Sequence, residues 1–238
     1  MSRSARKIAA ANFRQYMQRS NELHDSYLDE HGAGEEYDRF TEWQMAYLLT
    51  FFVDLHESPG YAEAIDFTMS DMAGVRISGR DRDLERAAPV ITTMLPLKAL
   101  ETIAAAAKLN AHVLEVNLGI FRRLQVDGVL PVEITDRAYC VACREASTLD
   151  ECLGLVHLAT NLGGTLGTLI KVPLLGTMLR AMRVPAHAAG FGVLQEFLES
   201  GYTTFKEIPD VDHFLTEIEI RMTEVFRKIY TKPLDGLD

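Results

Sequence analysis

Apolar residues recur at steps of three and four through most of this 238-residue chain, and that spacing constrains the fold more than any other feature. Such a period places apolar side chains on one face of an α-helix, whereas a half-buried strand needs strict alternation. Turn sequences rich in glycine and proline, as at residues 58–60 and 127–131, separate the periodic segments. The one β-like stretch, residues 128–134, is too short to support a sheet. The sequence therefore predicts an all-α protein.

We predict a single-domain helical bundle of about eight to ten helices, with a possible subdivision at the turn near residues 127–131. A chain of this size buries roughly 70% of its extended surface on folding, so a large core is available. The first predicted helix runs to residue 28, and the others cover about 35–57, 61–72, 81–94, 97–125, 135–147, 150–171, 173–183, 185–200 and 210–232.

The composition indicates an acidic protein of a reducing compartment. The formal net charge is −10, which disfavours nucleic acid as a partner because a phosphate backbone would be repelled. Three cysteines, Cys140, Cys143 and Cys152, are odd in number and close in sequence, unlike a secreted disulfide framework. We therefore expect a cytoplasmic protein.

Two segments raise the question of targeting or membrane insertion. The first twenty residues carry five Arg/Lys and no acid, as a transit peptide can, but their apolar pattern continues to Leu28 and predicts a structural helix. Residues 153–179 are long enough to span a bilayer. Asn161, Pro173 and several glycines interrupt them, so we predict a buried hairpin and no membrane span.

Residues 51–61 read FFVDLHESPGY and form the most distinctive segment of the chain. Further landmarks are Asp71, Gly74, RDRDL at 80–84, LP at 95–96, LN at 109–110, MRVPA at 182–186 and LQEFLE at 194–199. Together they resemble a bacterial family known as FFLEELY-motif proteins over about residues 40–230. Val53, Asp54 and His56 stand where that motif has Leu, Glu and Leu. The resemblance implies a helical fold and no assigned activity.

Two polar clusters within this resemblance are candidates for a catalytic site. They comprise Asp54, His56 and Glu57 in the first cluster, and Arg80, Asp81 and Asp83 in the second, with Arg82, Glu85 and Arg86 beside them. The functional interpretation is a polar pocket in which arginines hold an anion and a carboxylate acts as acid or base. The structural interpretation, which we favour, is ion pairing and helix capping that fix the turns.

Metal and cofactor signals are weak, and we expect no metal site and no evident cofactor. A di-iron bundle requires Glu-x-x-His on two helices, and the chain offers only Asp210-x-x-His213 at a helix start. Seven histidines lack a ligand spacing. His157 and His112 are the candidates for an axial haem ligand, although a lone histidine is more often a core or surface residue.

The C-terminal half contains a Cys-x-x-Cys at 140–143 and a glycine-rich segment at 161–167. Neither has the strand context of a redox or phosphate-binding motif, so we interpret the cysteines as buried small side chains. Small residues permit close helix approach. Alternatively, His157, Gly163 and Gly167 belong to an apolar ligand cavity, with Leu174 and Met178 among its lining residues. A tightly packed core is the favoured alternative.

Three classes of function remain open from the sequence. An interaction, regulatory or scaffold protein requires no site chemistry and is the first choice. The second is a protein that binds an apolar small molecule in the glycine-rich half, and the third is an enzyme of haem-oxygenase-like or ferritin-like helical type. A protein partner, an apolar ligand and a homo-oligomer are the corresponding expected partners.

Overall fold

A computed structural model describes residues 2–24, 33–68, 77–94, 97–129 and 134–236, apart from the side chains of residues 2, 77–81, 90, 94 and 236. Within these ranges the chain is helical without a strand, which confirms the all-α prediction. The helices are α1 (Ser2–Leu23), α2 (Gly34–Leu49), α3 (Val53–His56), α4 (Ala62–Phe67), α5 (Ile77–Met94), α6 (Leu97–Val126), α7 (Asp136–Ala146), α8 (Leu149–Leu169), α9 (Leu175–Ala188), α10 (Gly192–Glu207) and α11 (Val211–Thr231), followed by a 3-10 turn at Leu234–Gly236.

The segment expected as one helix over 35–57 is two helices, so the described part of the chain has eleven α-helices rather than eight to ten. The backbone leaves the helical conformation at Phe52, where φ is −122° and ψ is 8°. Phe52 is fully buried among the residues that surround α4 and α10. Because of this break, Phe52 packs with α4 and α10, whereas the buried side chains of α2 pack with α6.

Side-chain caps set the start of three helices. Thr135 accepts a hydrogen bond from the backbone N–H of Ala138, and Asp210 accepts one from His213, as predicted for helices starting near these residues. Thr148 and Glu151 form a reciprocal capping box at the start of α8. These local signals explain why the starts of these three helices were predictable.

Three groups of buried apolar side chains hold the helices together. The first lies between α2, α6, α7 and α11 and includes Phe40, Phe121, Tyr139 and Val225. It combines helices that precede residue 127 with helices that follow residue 134. The prediction of a single domain stays a prediction, and this mixed core is an observation in its favour.

The second and third cores extend from the same long helices. The second packs α3, α4, α10 and α11 around Phe52, Ile65 and Phe214. The third joins α1, α5 and the first half of α6 around Phe13 and Met17. α6 and α11 each contribute to two cores, so they form the framework of the described structure.

α9 stands apart from this framework. It packs mainly against α10, and none of its side chains belongs to the three cores. We predicted a helix boundary before Pro185, but α9 continues through it to Ala188. A proline inside a helix leaves the carbonyl of residue i−4 without its bond. Here that residue is Ala181, which is exposed, so solvent can satisfy the carbonyl.

Residues 153–179, predicted as a buried hairpin, form α8, the turn after it and the first part of α9. Leu174 and Met178 were expected to face a cavity or a core, and this prediction was wrong. Leu174 is 73% exposed and Met178 is 64% exposed. Among the described residues, no helix has both the length and the hydrophobicity that crossing a membrane requires.

Candidate functional site

Asp54 of the FFVDLHESPGY segment is held by an arginine of α11. Arg221 donates from Nη2 to Asp54 Oδ2 at 2.8 Å, and its Nη1 donates both to Asp54 Oδ1 and to the carbonyl of Phe51 at 3.2 Å. Hydrogen bonds from Arg221 lower the pKa of the Asp54 carboxyl. The arginine also binds Glu217 within its own helix. Asp54 is therefore engaged in fixing α3 to α11.

The rest of this polar cluster is also tied to neighbouring elements. His56 Nε2 lies 2.9 Å from Asp66 Oδ1 of α4, and Glu57 occupies the C-terminal cap position of α3. Asp54, His56 and Glu57 thus stand on one short turn, as the sequence predicted. Their contacts link α3 to α11 and α4.

Gly60 and Tyr61, the last two residues of the FFVDLHESPGY segment, are fixed by close packing. Gly60 has φ of +85°, and a Cβ at this position would lie 2.7 Å from Pro209 Cγ. The ring of Tyr61 stacks on Phe214 with centroids 5.7 Å apart and an interplanar angle of 7°. The segment that carries the family resemblance therefore packs against the connection between α10 and α11.

Asp83 of the second polar cluster lies 6% exposed on α5 and accepts a hydrogen bond from the backbone N–H of Leu194 at 3.3 Å. Leu194 is in the first turn of α10, whose own cap residue, Phe191, has no side-chain acceptor. Backbone N–H groups at a helix start need an acceptor and favour negative charge. Asp83, which belongs to α5, supplies both the acceptor and the negative charge to α10.

Arg86, one turn after Asp83, binds the end of α9. Its Nη1 donates to the carbonyl of Gly190 at 3.2 Å and its Nη2 to that of Ala189 at 3.4 Å. Its guanidinium also lies 5.1 Å from the centroid of the Phe191 ring. The carbonyls at a helix end favour a cation. Asp83 and Arg86 therefore form a clamp: the acid binds the start of α10 and the base binds the end of α9.

The turn inside the clamp has its own backbone hydrogen bonds. The N–H of Phe191 donates to Ala186 at 2.8 Å, and that of Gly190 donates to His187 at 3.0 Å. Together with the positive φ of Gly190, this is a Schellman ending. Arg80 and Asp81, the other residues of the predicted cluster, have side chains outside the described part of the structure. For them the catalytic and the structural interpretations both stay predictions.

The glycine-rich segment of α8 packs against α11. A Cβ at Gly163 would lie 2.5 Å from Leu215 Cδ2, and one at Gly167 would lie 2.8 Å from Val211 Cγ1. The glycines thus permit close approach of the two helices, as the favoured interpretation predicted. Ligand binding at Gly163 and Gly167 stays a prediction.

His157, a candidate for an axial haem ligand, lies on the surface of α8. Its side chain is 69% exposed, and its Nδ1 lies 3.3 Å from Glu219 on the adjacent α11. Ligand binding by His157 stays a prediction. For the ferritin-like alternative, no three His, Cys, Asp or Glu side chains in the described ranges are grouped as metal ligands.

The three cysteines are buried and free. Burial raises the pKa of the thiols of Cys140 and Cys143, which disfavours the reactive thiolate. Cys152 Sγ lies 3.4 Å from the hydroxyl of Tyr230, and that hydroxyl donates to the carbonyl of Cys143. The cysteines therefore have the environment of packing residues.

The most unusual surface in the described structure is the outward side of α9. Two of its ionisable side chains contact α10: Arg183 donates to Glu199, and His187 Nε2 lies 3.4 Å from Glu196. The exposed side is apolar or small apart from Thr177 and Arg180. It carries Leu174, Thr177, Met178, Ala181, Met182, Val184, Pro185 and Ala188, which we call the outward face.

This face leaves large apolar side chains in solvent. A surface helix normally turns its apolar stripe to the core and its charges to solvent. In α9 the side towards the protein is apolar as expected, with Leu175, Gly176 and Leu179 less exposed than the rest. The opposite side is apolar as well: Val184, Met178 and Met182 are 77%, 64% and 53% exposed. The sequence did not predict this surface, because a helical period alone does not show which apolar residues are buried.

A family model for a domain of unknown function, DUF8198, matches residues 23–235, which is most of the chain. No curated protein and no solved structure matches the sequence.

Proposed function

The chain belongs to the DUF8198 family, whose function is unknown, and from this premise we propose that it is an interaction or scaffold protein that binds a protein partner through the outward face of α9. The observation that carries the proposal is the exposure of large apolar side chains on α9, where Met178, Met182 and Val184 are each more than half exposed. Large contiguous apolar patches are rare on the surface of monomers and mark interaction sites. Methionine adds to the argument because its flexible side chain adapts to a partner surface.

The contacts of the two polar clusters support an architectural role for them. Asp54 is occupied by Arg221, and Asp83 by Leu194 and Arg86. Their charges serve helix ends and helix pairs in this proposal, so no acid–base step is assigned to them. The clamp has a further role, because it fixes the end of α9 and so orients the outward face.

Three finer points belong to the same proposal. The FFVDLHESPGY segment supports kinship with the FFLEELY-motif proteins, with its side chains acting in packing. The free, buried thiols of Cys140, Cys143 and Cys152 support a reducing compartment such as the cytoplasm. The net charge of −10 supports a protein partner rather than nucleic acid.

Site-specific photo-crosslinking in living cells tests the proposal. A photoreactive amino acid at Met178 should give a covalent adduct with a protein, which is either another chain or the same one. The same residue at Glu101, exposed on α6, serves as the control and should give none. If position 178 yields no protein adduct beyond that of position 101, the outward face is not a docking site.

A further inference from the structure

We propose that α9 is a strap over α10 that opens as a unit: between two anchored ends, residues 171–188 leave α10 while the three cores stay folded. The opening is a property of the free chain, so it is tested separately from the binding of any partner. Local opening occurs where a segment buries few apolar side chains and exposes its backbone hydrogen bonds to solvent. Burial, helix stability and the contacts with α10 each show this property in α9.

α9 buries very little of itself. Of its 14 residues, Gly176 is the single buried one, and it has no side chain. Leu175, Leu179 and Ala186 are half-buried, and the remaining residues of α9 are exposed. α6, by comparison, buries ten of its 30 residues. Burial of apolar surface is the dominant favourable contribution to folding, so α9 is held much less firmly than α6.

The local sequence of α9 adds little helix stability. Its cap residue, Leu174, provides no side-chain acceptor, and the first turn has no acidic residue, although both would favour a helix start. Leu174 also has φ of +67° and is the one non-glycine residue in the described ranges with a left-handed backbone. This conformation is strained, and unfolding of α9 relieves it. Inside the helix, Pro185 removes the hydrogen bond to the carbonyl of Ala181.

The contacts that hold α9 to α10 are largely polar. Gln195 donates from Nε2 to the carbonyl of Leu179 at 2.6 Å, and Arg183 donates from Nε to Glu199 Oε2 at 3.0 Å. The side chain of Arg183 is 58% exposed. Solvent replaces hydrogen bonds and exposed ion pairs at a small net cost, so these contacts break more easily than a core.

Both ends of α9 are anchored, which confines the opening to the segment between them. Before the strap, Ile170 packs against the second core. After the strap, Arg86 binds the carbonyls of Ala189 and Gly190, and its guanidinium lies over the ring of Phe191. The clamp therefore keeps α10 in place when α9 opens.

Opening changes the surface without disturbing a core. Gln195, Glu199 and Tyr202 follow one another at steps of four and three and share one face of α10. The closed strap covers this face: Gln195 is 5% exposed, the side chain of Glu199 is 17% exposed, and the ring of Tyr202 lies against Gly176. All three side chains carry polar groups that solvent can satisfy, which lowers the free-energy cost of uncovering them.

Native-state hydrogen exchange of the purified full chain, followed by NMR at increasing urea concentration, tests the strap. We expect the hydrogen-bonded amides of α9 to exchange at least about 100-fold faster than those of α6 and α11, through an opening smaller than global unfolding. The urea dependence of exchange grows with the surface that an opening exposes, so it should be shallow for α9 and steep for α6 and α11. Amides of α9 that share the rate and the urea dependence of α6 overturn the inference, as does joint opening of α9 and α10.

Two arginines of α9 give a matched pair of variants. Arg183→Ala removes the ion pair with Glu199 and should speed the exchange of α9 about two- to fivefold. Arg180→Ala makes the same change at an exposed position whose side chain contacts Thr177 of its own helix, and it should leave the rate nearly unchanged. Equal rates in the two variants contradict the inference that contacts with α10 keep the strap closed.

A core variant distinguishes the opening of α9 from global unfolding. Ile229→Val, at a position 1% exposed in α11, should speed the exchange of α6 and α11. We expect this increase to be about two- to tenfold, because the substitution lowers the free energy of global unfolding. The exchange of α9 should stay at the wild-type rate, because the core is folded in both the closed and the open state. If the exchange of α9 rises by the same factor as that of α6, α9 opens only with the whole chain and the inference is overturned.

Discussion

Asp83 accepts a hydrogen bond from the backbone N–H of Leu194, which lies 111 residues further along the chain, and so caps a helix to which it does not belong. Arg86 completes the relation by binding the carbonyls of Ala189 and Gly190, directly after the end of the preceding helix. Each charge meets the helix end that favours it. A turn between two helices is thereby held from outside by one pair of side chains.

Replacing Asp83 by alanine should lower the free energy of unfolding by about 1–3 kcal/mol, because it leaves the buried N–H of Leu194 without its acceptor and removes the carboxylate that Arg86 pairs with. Asp83→Asn retains a carbonyl oxygen and should lower it less. Urea denaturation followed by circular dichroism measures the effect. Glu101→Ala, on the exposed side of α6, should change little and serves as the control. Equal unfolding curves for Asp83→Ala and the wild type would contradict the cap.

The contribution of Arg86 to the clamp is measured by a double-mutant cycle with Asp83. Groups in one hydrogen-bonded network show coupling energies of about 0.5–3 kcal/mol. We expect Arg86→Ala to lose part of its effect once Asp83 is already alanine, because each residue needs the other to fix the turn. Strict additivity of the two single variants would show that the acid and the base act independently.

Two glycines of α8 should respond oppositely to alanine. Gly164 has open space where a Cβ would be, so Gly164→Ala should raise the free energy of unfolding by about 0.5–1 kcal/mol through the better helix propensity of alanine. Gly163→Ala forces Leu215 aside, so the free energy of unfolding of this variant should be about 1–3 kcal/mol lower than that of Gly164→Ala. Thermal melts of the two variants make the comparison. Equal shifts would mean that α8 and α11 are not in close contact at Gly163.

The Asp54–Arg221 pair gives a pH dependence of known sign. The pKa of Asp54 is lowered by its hydrogen bonds from Arg221, so the pair stabilises the folded state fully above the unfolded value near 3.8. That stabilisation is lost as the pH falls through the folded pKa. The wild type should therefore be more stable than Asp54→Asn at pH 6, and the difference should vanish near pH 2.

The control for this titration is the same substitution in an Arg221→Gln background, where the pH-dependent difference should be absent. High salt should also shrink it, because the carboxylate is 74% exposed and the pair is screened. A difference that persists unchanged at pH 2 would assign the effect of Asp54→Asn to something other than the ion pair.

Leu174→Gly should raise the free energy of unfolding by about 0.5–1 kcal/mol, because glycine adopts the left-handed conformation of residue 174 without strain and the leucine side chain is 73% exposed. Leu175→Gly, at a neighbouring helical position, should instead lower the free energy of unfolding by about 1 kcal/mol. Urea denaturation of the two variants makes the comparison. Destabilisation by both substitutions would show that the conformation of Leu174 costs nothing.

The sequence predicted what depends on near neighbours. Thr135 and Asp210 accept hydrogen bonds from N–H groups three residues further along the chain, so these helix starts could be predicted from the local pattern alone. Asp83 and Asp54 were identified as polar candidates, but their partners lie 111 and 167 residues away. Spacing carries no information on such contacts. The missing acceptor at Phe191, the cap residue of α10, was a sign that a distant group must supply one.

The outward face of α9 was beyond prediction for a different reason. A helical period shows that Met178 and Met182 share a side, but it does not say whether that side meets the protein or the solvent. The orientation depends on α10: Gly176 lies against Tyr202, and Leu175 and Leu179 are less exposed than the rest of α9. Contacts with a second helix therefore decided which side of α9 became the surface.

The separation of α9 from the three cores has an evolutionary consequence. Substitutions on its exposed side change no packing that the rest of the chain needs, so this helix can diversify while α6 and α11 stay constrained. Relatives that retain the acid and the base on α5 but carry polar residues at the positions of Met178 and Met182 would keep the architecture and lose the apolar surface. The choice of partner would then be a trait inherited separately from the fold.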